Sequence, residues 1–256
     1  MGVRYTDPDH VRRQYGRLDP LAVRIETHLR YGRRRDSLAG WVLERFGARS
    51  GERVADVCCG PGFLYQPALR ALGVEVVGLD LSPAMLARAA ESSLVLRADA
   101  QALPLADGIF DRTMCNHALY HVPDQLAALR ELRRVTTPGG RIVITTNSAR
   151  TMSAFRSVVS EAAAELGLSD PHQRLPFALE YVDRVREVLP EVAVEEYVNE
   201  LRFPAVAPAM AYISSSNDLP PPLLDAVESR IGRVIEREGA FTVETVAGCF
   251  VADLEA

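Results

Sequence analysis

The sequence predicts an α/β fold with a doubly wound, mostly parallel sheet. Three observations predict it. Between about residues 50 and 150, short apolar runs alternate with helical stretches. Several of those runs are apolar at consecutive positions, as strands covered on both faces require. The first run ends in Gly60-Pro61-Gly62 just before a helix begins, the turn a ligand-binding strand tip needs.

The strand-like runs are Arg53–Cys58, Val74–Leu79, Leu94–Ala98, Ile109–Cys115 and Arg141–Thr146. Helices are predicted over Phe63–Leu72, Pro83–Glu91 and Asp124–Val135. Such alternation implies parallel strands with right-handed crossovers. Before this core, residues 1–50 read as a polar, Arg-rich helical cap. There Trp41, Val42 and Phe46 recur at helical spacing and Gly47 ends the segment. Arg33-Arg34-Arg35 reads as the solvated start of a helix. After the core of residues 51–150, residues 151–256 change pattern. Helices are expected over Thr151–Leu166, Phe177–Leu189, Pro204–Ile213 and Pro221–Glu238, with a loop at Ser214–Pro222. Two β-like runs, Val192–Phe203 and Phe241–Val251, would extend the sheet edge and accompany a lid over the substrate pocket.

Composition narrows the function. The chain has 256 residues, 48% of them hydrophobic and 25% charged, a size for one α/β domain with embellishments. Its net charge of −5 attracts neither nucleic acid nor an anionic membrane. All 29 basic residues are Arg, which suggests a GC-rich genome. Cys58, Cys59, Cys115 and Cys249 form no CxxC, so neither a disulfide framework nor a zinc knuckle is expected. With no apolar run long enough for a signal peptide or a membrane span, a cytoplasmic protein is expected.

Three strand ends carry an Asp. Asp56 stands just before Cys58-Cys59-Gly60-Pro61-Gly62; Asp80 closes Val76-Val77-Gly78-Leu79, 20 residues beyond Gly60; Asp99 follows Arg97-Ala98. A carboxylate at Asp80 can hold both hydroxyls of a ribose. Leu81 follows it, and Ser82 and Pro83 open the next helix as N-cap and first residue. Asp99 can accept from an adenine amino group while the neighbouring Ala100 N–H meets a ring nitrogen. Together these make a nucleoside site. A dinucleotide is disfavoured. Tyr65 stands where its third glycine would be, Pro61 removes a donor, and Asp56 would face a diphosphate. A cationic sulfonium with an ammonium suits this acidic pocket better.

The ordered set resembles the class I S-adenosylmethionine-dependent methyltransferases, in their small-molecule branch. Val54–Phe63 resembles that family's glycine-rich first motif, with Cys58 in place of its usual first glycine. Val76–Leu86 and Ala98–Pro104 resemble the second and third. Phe110-Asp111, His121–Asp124, Leu129–Val135 and Pro138–Arg141 resemble the later ones, in order. The resemblance covers about residues 50 to 147. It implies a Rossmann-like, seven-stranded sheet and S-adenosylmethionine as cofactor. The cofactor-binding candidates are then Asp56, Cys58, Cys59, Gly60, Gly62, Asp80, Leu81, Asp99, Ala100 and Asn116. It further implies transfer of the methyl group to an O, N or C nucleophile of a small molecule such as a natural-product intermediate, and it is compatible with a homodimer.

Methyl transfer by in-line displacement mainly needs alignment, plus a base where the nucleophile must lose a proton. The stretch after the fourth strand, Cys115-Asn116-His117-Ala118-Leu119-Tyr120-His121, supplies His117 and His121 as candidate bases. Four residues apart, they would share a face of a helix; with no third ligand, no metal is expected. Tyr5, Tyr15, His28 and Tyr31 are the cap's candidates, and Tyr15 is chosen as the one reaching the site. Phe155, Phe177, Tyr181, Phe203, Met210 and Tyr212 would line the rest of the pocket. Three alternatives remain open: a methyltransferase of RNA or protein, with Arg30–Arg35 as its footprint; a relative that binds the cofactor without transferring methyl, such as a cyclase or regulatory module; and a nicotinamide oxidoreductase.

Overall fold

The computed structural model describes residues 4–7, 19–172, 174–216 and 219–255. Two cap helices, α1 (Asp19–Tyr31) and α2 (Leu38–Phe46), precede the sheet. The core follows as β1 (Arg53–Val57), α3 (Gln66–Ala71), β2 (Glu75–Asp80), α4 (Pro83–Ala89), β3 (Leu94–Arg97), β4 (Phe110–Asn116), α5 (Gln125–Val135) and β5 (Thr136–Asn147). The tail adds α6 (Ser153–Glu165), α7 (Val182–Arg186), β6 (Ala193–Phe203), α8 (Val206–Ser216), α9 (Pro221–Glu238) and β7 (Phe241–Asp253).

Among the described residues one seven-stranded sheet has the order β3-β2-β1-β4-β5-β7-β6. The first five strands pair in parallel, and β7 runs antiparallel to both β5 and β6. The strand order reverses between β1 and β4. That gap is the switch point at which ligands bind in open α/β sheets.

The consecutive apolar positions have a simple cause, because neighbours along a strand feed opposite cores. Ala55, Cys115, Ile144 and Phe250 pack with Leu129 and Leu132 of α5 on one face. Val54, Met114, Val143 and Cys249 pack with Trp41, Val42 and Phe46 of α2 on the other. A third core, in the tail, joins Phe155, Leu201, Phe203, Ile213, Leu223, Val227 and Phe241. Gly47 caps α2 at φ +59, the left-handed conformation expected of a helix-ending glycine.

The tail departs from expectation in two places. The stretch 177–189 is not one helix. Phe177 and Ala178 are fully buried, Ala178 is extended, and Phe177 lies 5.7 Å from Phe250, so burial overrides helical propensity until a short 3-10 turn at Leu179–Tyr181. The loop expected from Ser214 begins later, since α8 runs on to Ser216. Arg33–Arg35 is also not a helix start but the link between α1 and α2. Gly32 bridges to Leu201, Arg33 N–H donates to the Glu200 carbonyl (2.9 Å), and the Arg34 guanidinium lies 4.1 Å over the Tyr197 ring. This link covers the outer edge of β6. No helix among the described residues is long and apolar enough to cross a membrane.

Candidate functional site

The first two strand tips form one unit. Asp56 is the fourth residue of β1, and its side chain turns beneath the loop, 2% exposed, where Gln66 Nε2 donates to its Oδ2 at 3.0 Å. Burial pushes its carboxyl up to about 7. Above it the chain turns through Cys58 (φ +57), Gly60 (φ +56) and Gly62 (φ +73). Gly62 has no room for a side chain, because a Cβ there would meet Gln66 Oε1 at 2.4 Å. Gly60 is different: a Cβ there would meet nothing within 4 Å, so its face opens onto free space. The helix expected from Phe63 starts only at Gln66, because the turn continues to Gly62, whose carbonyl accepts from Gln66 N–H (3.2 Å).

Asp80 closes the loop from the side. Its Oδ2 accepts Gly60 N–H at 2.9 Å and its Oδ1 accepts Ser82 N–H at 2.8 Å. Each oxygen keeps a second lone pair for a ligand hydroxyl. Burial raises this carboxyl, and the N–H donors of Ser82, Gly60 and Leu81 hold it back. Leu81 beside it is 59% exposed, a flat apolar surface at the rim. Ser82 Oγ caps α4 by accepting from Met85 N–H, and Pro83 is its first residue. Asp99 is exposed and accepts from Gln101 N–H (2.9 Å) and from Gln101 Nε2, while Ala100 beside it is buried.

Cys58 and Cys59 point to opposite faces. Cys58 packs in the α5-side core, where the neighbouring Cys115 thiol and burial raise its own thiol. Cys59 Sγ lies over Gly78, 3.0 Å from where a Cβ would be.

At the tip of β4, Asn116 Oδ1 accepts from Thr145 Oγ1 at 2.5 Å. Its Nδ2 is buried without a hydrogen-bond partner among the described residues. His117 follows at φ +50, strained for a non-glycine residue, and its N–H donates to the Thr145 carbonyl (2.8 Å). This left-handed residue breaks the chain direction, so His117 and His121 do not share a helix face as expected. Only Leu119–His121 forms a 3-10 turn. His121 Nδ1 donates to the Tyr5 carbonyl at 2.8 Å and so ties the first described residues onto this turn.

His117 is half-buried. Desolvation lowers its imidazole to about 4. The described part of the cap reaches the turn after β4 through Tyr5, while His28 of α1 meets Tyr212 of α8. Tyr15, the cap residue chosen from the sequence, lies outside the described residues. Arg24 and Gln66 were missed. Arg24 left a readable trace, since Arg24, His28 and Tyr31 form an i, i+4, i+7 stripe. Gln66 left only its place as the first residue of α3. Of the aromatics, Phe155, Phe177 and Phe203 are buried core. Tyr212 stacks on Phe155 (5.6 Å, 4° between planes) and meets His28 edge-on at 5.9 Å.

The residues suit S-adenosylmethionine on two structural observations: the open face over Gly60 flanked by the Asp80 carboxylate, and the orphaned Asn116 donor at the next strand tip. Among the described residues no group of three His, Cys, Asp or Glu side chains could hold a metal.

Comparison with known proteins places the chain among methyltransferase-like sequences and folds. Residues 55–144 match a family described as methyltransferase domain. Demethylmenaquinone methyltransferase of Staphylococcus aureus (strain JH9) is 32% identical over 157 residues, covering 58% of this chain. The chain matches 62% of the length of that relative. Among solved structures, phosphoethanolamine N-methyltransferase 2 of Haemonchus contortus, in complex with S-adenosyl-L-methionine, superposes with a TM-score of 0.60 at 17% identity, covering 100% of this chain and 61% of that one. The [4+2]-cyclase SpnF superposes with a TM-score of 0.57 at 18% identity, covering 100% and 98%.

Proposed function

From the premise that residues 55–144 are a domain of the class I S-adenosylmethionine-dependent methyltransferases, we propose that this chain methylates an O, N or C nucleophile of a small molecule. The observation that carries the reading is the open face of Gly60 between the Asp80 carboxylate and the Asn116 amide. S-adenosylmethionine, when bound, supplies a methyl carbon already activated by a sulfonium.

The residues divide the work. Gly60 lets the backbone approach the ligand, and Asp80 offers its spare lone pairs to the ribose hydroxyls. Leu81 supplies an apolar face for the adenine, with Asp99 and the Ala100 N–H at its polar edge. Asp56, beneath the loop, supports it through Gln66 rather than by a direct contact. Asn116 Nδ2 donates to a ligand acceptor at the β4 tip. His117, kept neutral at pH 7 by desolvation, holds a free lone pair where an acceptor's proton must go. The acceptor would be a small molecule such as a natural-product intermediate, bound beside the β4 tip in a cytoplasmic enzyme. The name of the Staphylococcus relative, demethylmenaquinone methyltransferase, supports a small-molecule acceptor.

Calorimetric titration tests the reading. S-adenosylhomocysteine should bind in the micromolar range and NAD should not. Absence of binding, or preference for the dinucleotide, would sink it. In His117→Ala, turnover of any acceptor found by a gain of one methylene in mass should fall about 100-fold, the ordinary worth of a positioned base, with cofactor affinity held within about two-fold. Unaltered turnover would return His117 to a structural role. The likeness to SpnF concerns the fold, and product mass separates methyl transfer from a reaction without it.

A further inference from the structure

The tip of β4 carries a hydrogen-bond donor that the fold leaves unused. Asn116 stands level with Cys58 and Asp80. Each is the residue after one rung of the sheet, where Val57 pairs with Leu79 on one side and with Cys115 on the other. On its far side Asn116 pairs with Thr145 of β5. Strand alternation puts Asn116 and Thr145 on the face of Met114 and Val143, which packs against α2. Thr145 is 1% exposed. Its hydroxyl donates to Asn116 Oδ1 at 2.5 Å, and its carbonyl accepts His117 N–H at 2.8 Å. One residue of β5 thus holds both the Asn116 side chain and the turn that follows it. Asn116 Nδ2 is buried and has no hydrogen-bond partner among the described residues.

We infer that Thr145 is a positioning residue, which fixes the Asn116 carboxamide so that Nδ2 is offered to the carboxylate of the methyl donor's amino-acid tail. This rests on the reading that Asp80 holds the ribose of that donor.

The length of the contact fixes which way the amide is turned. At 2.5 Å it lies in the range of O–H···O bonds and below that of N–H···O bonds. A hydroxyl has one proton, so the amide oxygen takes it and the amide nitrogen is left over. An N–H sealed from water without a partner costs free energy, which a ligand acceptor would restore. The position of the amide selects that acceptor. Parallel strands in the order β2-β1-β4 set Asp80 and Asn116 two strand spacings apart, about 10 Å. A nucleoside with its ribose at Asp80 therefore reaches Asn116 only through a tail on its 5′ carbon that crosses the tip of β1. The tail of S-adenosylmethionine ends in an ammonium and a carboxylate. The ammonium offers donors alone and cannot pair with an amide nitrogen, whereas the carboxylate offers acceptors alone. A hydrogen bond to an ionised acceptor is also the stronger kind. Without the Thr145 hydroxyl the amide is free to turn its oxygen toward the carboxylate, which repels it.

The test titrates two ligands into the full chain: S-adenosylhomocysteine, and 5′-methylthioadenosine, which keeps the nucleoside and the sulfur but lacks the amino-acid tail. The wild-type chain should bind S-adenosylhomocysteine at least about ten-fold tighter, a difference of about 1.4 kcal/mol. Thr145→Val, which keeps the shape and loses the hydroxyl, should weaken S-adenosylhomocysteine about ten-fold and hold methylthioadenosine within about two-fold. Thr145→Ala is read the same way where the valine variant fails to fold. Thr145→Ser, which keeps the hydroxyl, should restore binding to within about two-fold of wild type. In an Asn116→Ala background Thr145→Val should add less than about two-fold, because its effect runs through Asn116. Asn116→Asp sets carboxylate against carboxylate and should cost S-adenosylhomocysteine about 100-fold while sparing methylthioadenosine. Equal loss of both ligands in Thr145→Val, an unchanged S-adenosylhomocysteine Kd in Thr145→Val or Asn116→Asp, or a full Thr145→Val effect without the Asn116 side chain would each overturn the proposal. A wild-type chain that binds both ligands equally overturns it while the Asp80 reading stands, and one that binds neither removes both.

Discussion

The two halves of the sheet hold their ligand groups in different ways. In the half made by β1, β2 and β3, the groups are backbone N–H donors and strand-end carboxylates, locked to one another: Asp80 binds the loop through Gly60, and Asp56 supports it through Gln66. In the half made by β4 and the tail, the candidate groups come from places distant in sequence: His117 after β4, and Tyr212 of α8, which meets His28 of α1 edge-on. The first arrangement suits a ligand common to many proteins, because it is written into the turn itself. The second can vary with the acceptor while the sheet stays fixed.

The largest expected effect tests the first half. Gly60→Val places a branched side chain in the open face of the loop at φ +56. The S-adenosylhomocysteine Kd should rise by more than about 100-fold, while the fold loses about 1–2 kcal/mol through left-handed strain. Calorimetry and a thermal scan separate the two. A variant that binds normally would show that the ligand does not approach Gly60, and the comparison would break at its root. Next comes Asp80→Ala, which removes the acceptors of the ribose hydroxyls and of two loop N–H groups. Charged hydrogen bonds of this kind are worth about 1.5–3 kcal/mol, so affinity should fall about ten- to hundred-fold. Unchanged affinity would move the ribose away from this carboxylate.

The same contrast explains what could be read from the sequence. The spacing from Gly60 to Asp80 is set by one turn, one helix, a second turn and one strand, all local lengths. The strand tips, the N-cap Ser82 and the helix stop at Gly47 are therefore legible in the amino-acid sequence alone. β3, β4 and α9 are likewise bounded by local signals. The acceptor half is not legible to the same degree. The stripe Arg24, His28, Tyr31 shows that one face of α1 is special, but no local rule says that His28 on this face meets Tyr212 of α8. The left-handed turn at His117 is also hidden, because nothing in Asn116-His117-Ala118 demands a positive φ. Phe177 reads as helical by pattern, although its ring is fully buried against Phe250.

A third substitution sharpens the view of Asp56 as a support under the loop rather than a contact. Its carboxyl is pushed up to about 7 from an ordinary value near 3.8. The folded state then holds a proton that the unfolded chain has lost, so ionising this buried group costs stability that grows as pH rises from about 4 to 7. Asp56→Asn removes the titration and keeps an acceptor for Gln66 Nε2, and its amide can donate to Gln66 Oε1, which lacks a partner among the described residues. Relative to wild type, the variant should gain about 2 kcal/mol between pH 5 and pH 8, with cofactor affinity changed less than in Asp80→Ala. Thermal scans at the two pH values measure it, and a pH-independent difference would remove the raised carboxyl. The two histidines work in the opposite sense. Each is lowered from 6.5 to about 4, so stability should fall as pH drops through that window, and His28→Gln should flatten that fall.

The smallest effect lies at Cys58, where the loop departs from a glycine. The residue sits at φ +57, a conformation that costs a side-chain-bearing residue roughly 1–2 kcal/mol. Glycine there would lift the strain but would add unfolded-chain entropy worth about 0.5–1 kcal/mol. The thiol's packing in the α5-side core beside Cys115 would also be lost. Cys58→Gly should therefore stabilise the fold by only about 0.5 kcal/mol, a rise in Tm of about 1–2 °C for a chain of this size. Cofactor affinity should be unchanged, because the ligand face belongs to Gly60 and the Cys58 side chain points to the opposite core. A fall in Tm would mean that the Cys58–Cys115 contact outweighs the strain, and the loop would then depend on a strand of the acceptor half, joining what the comparison separates.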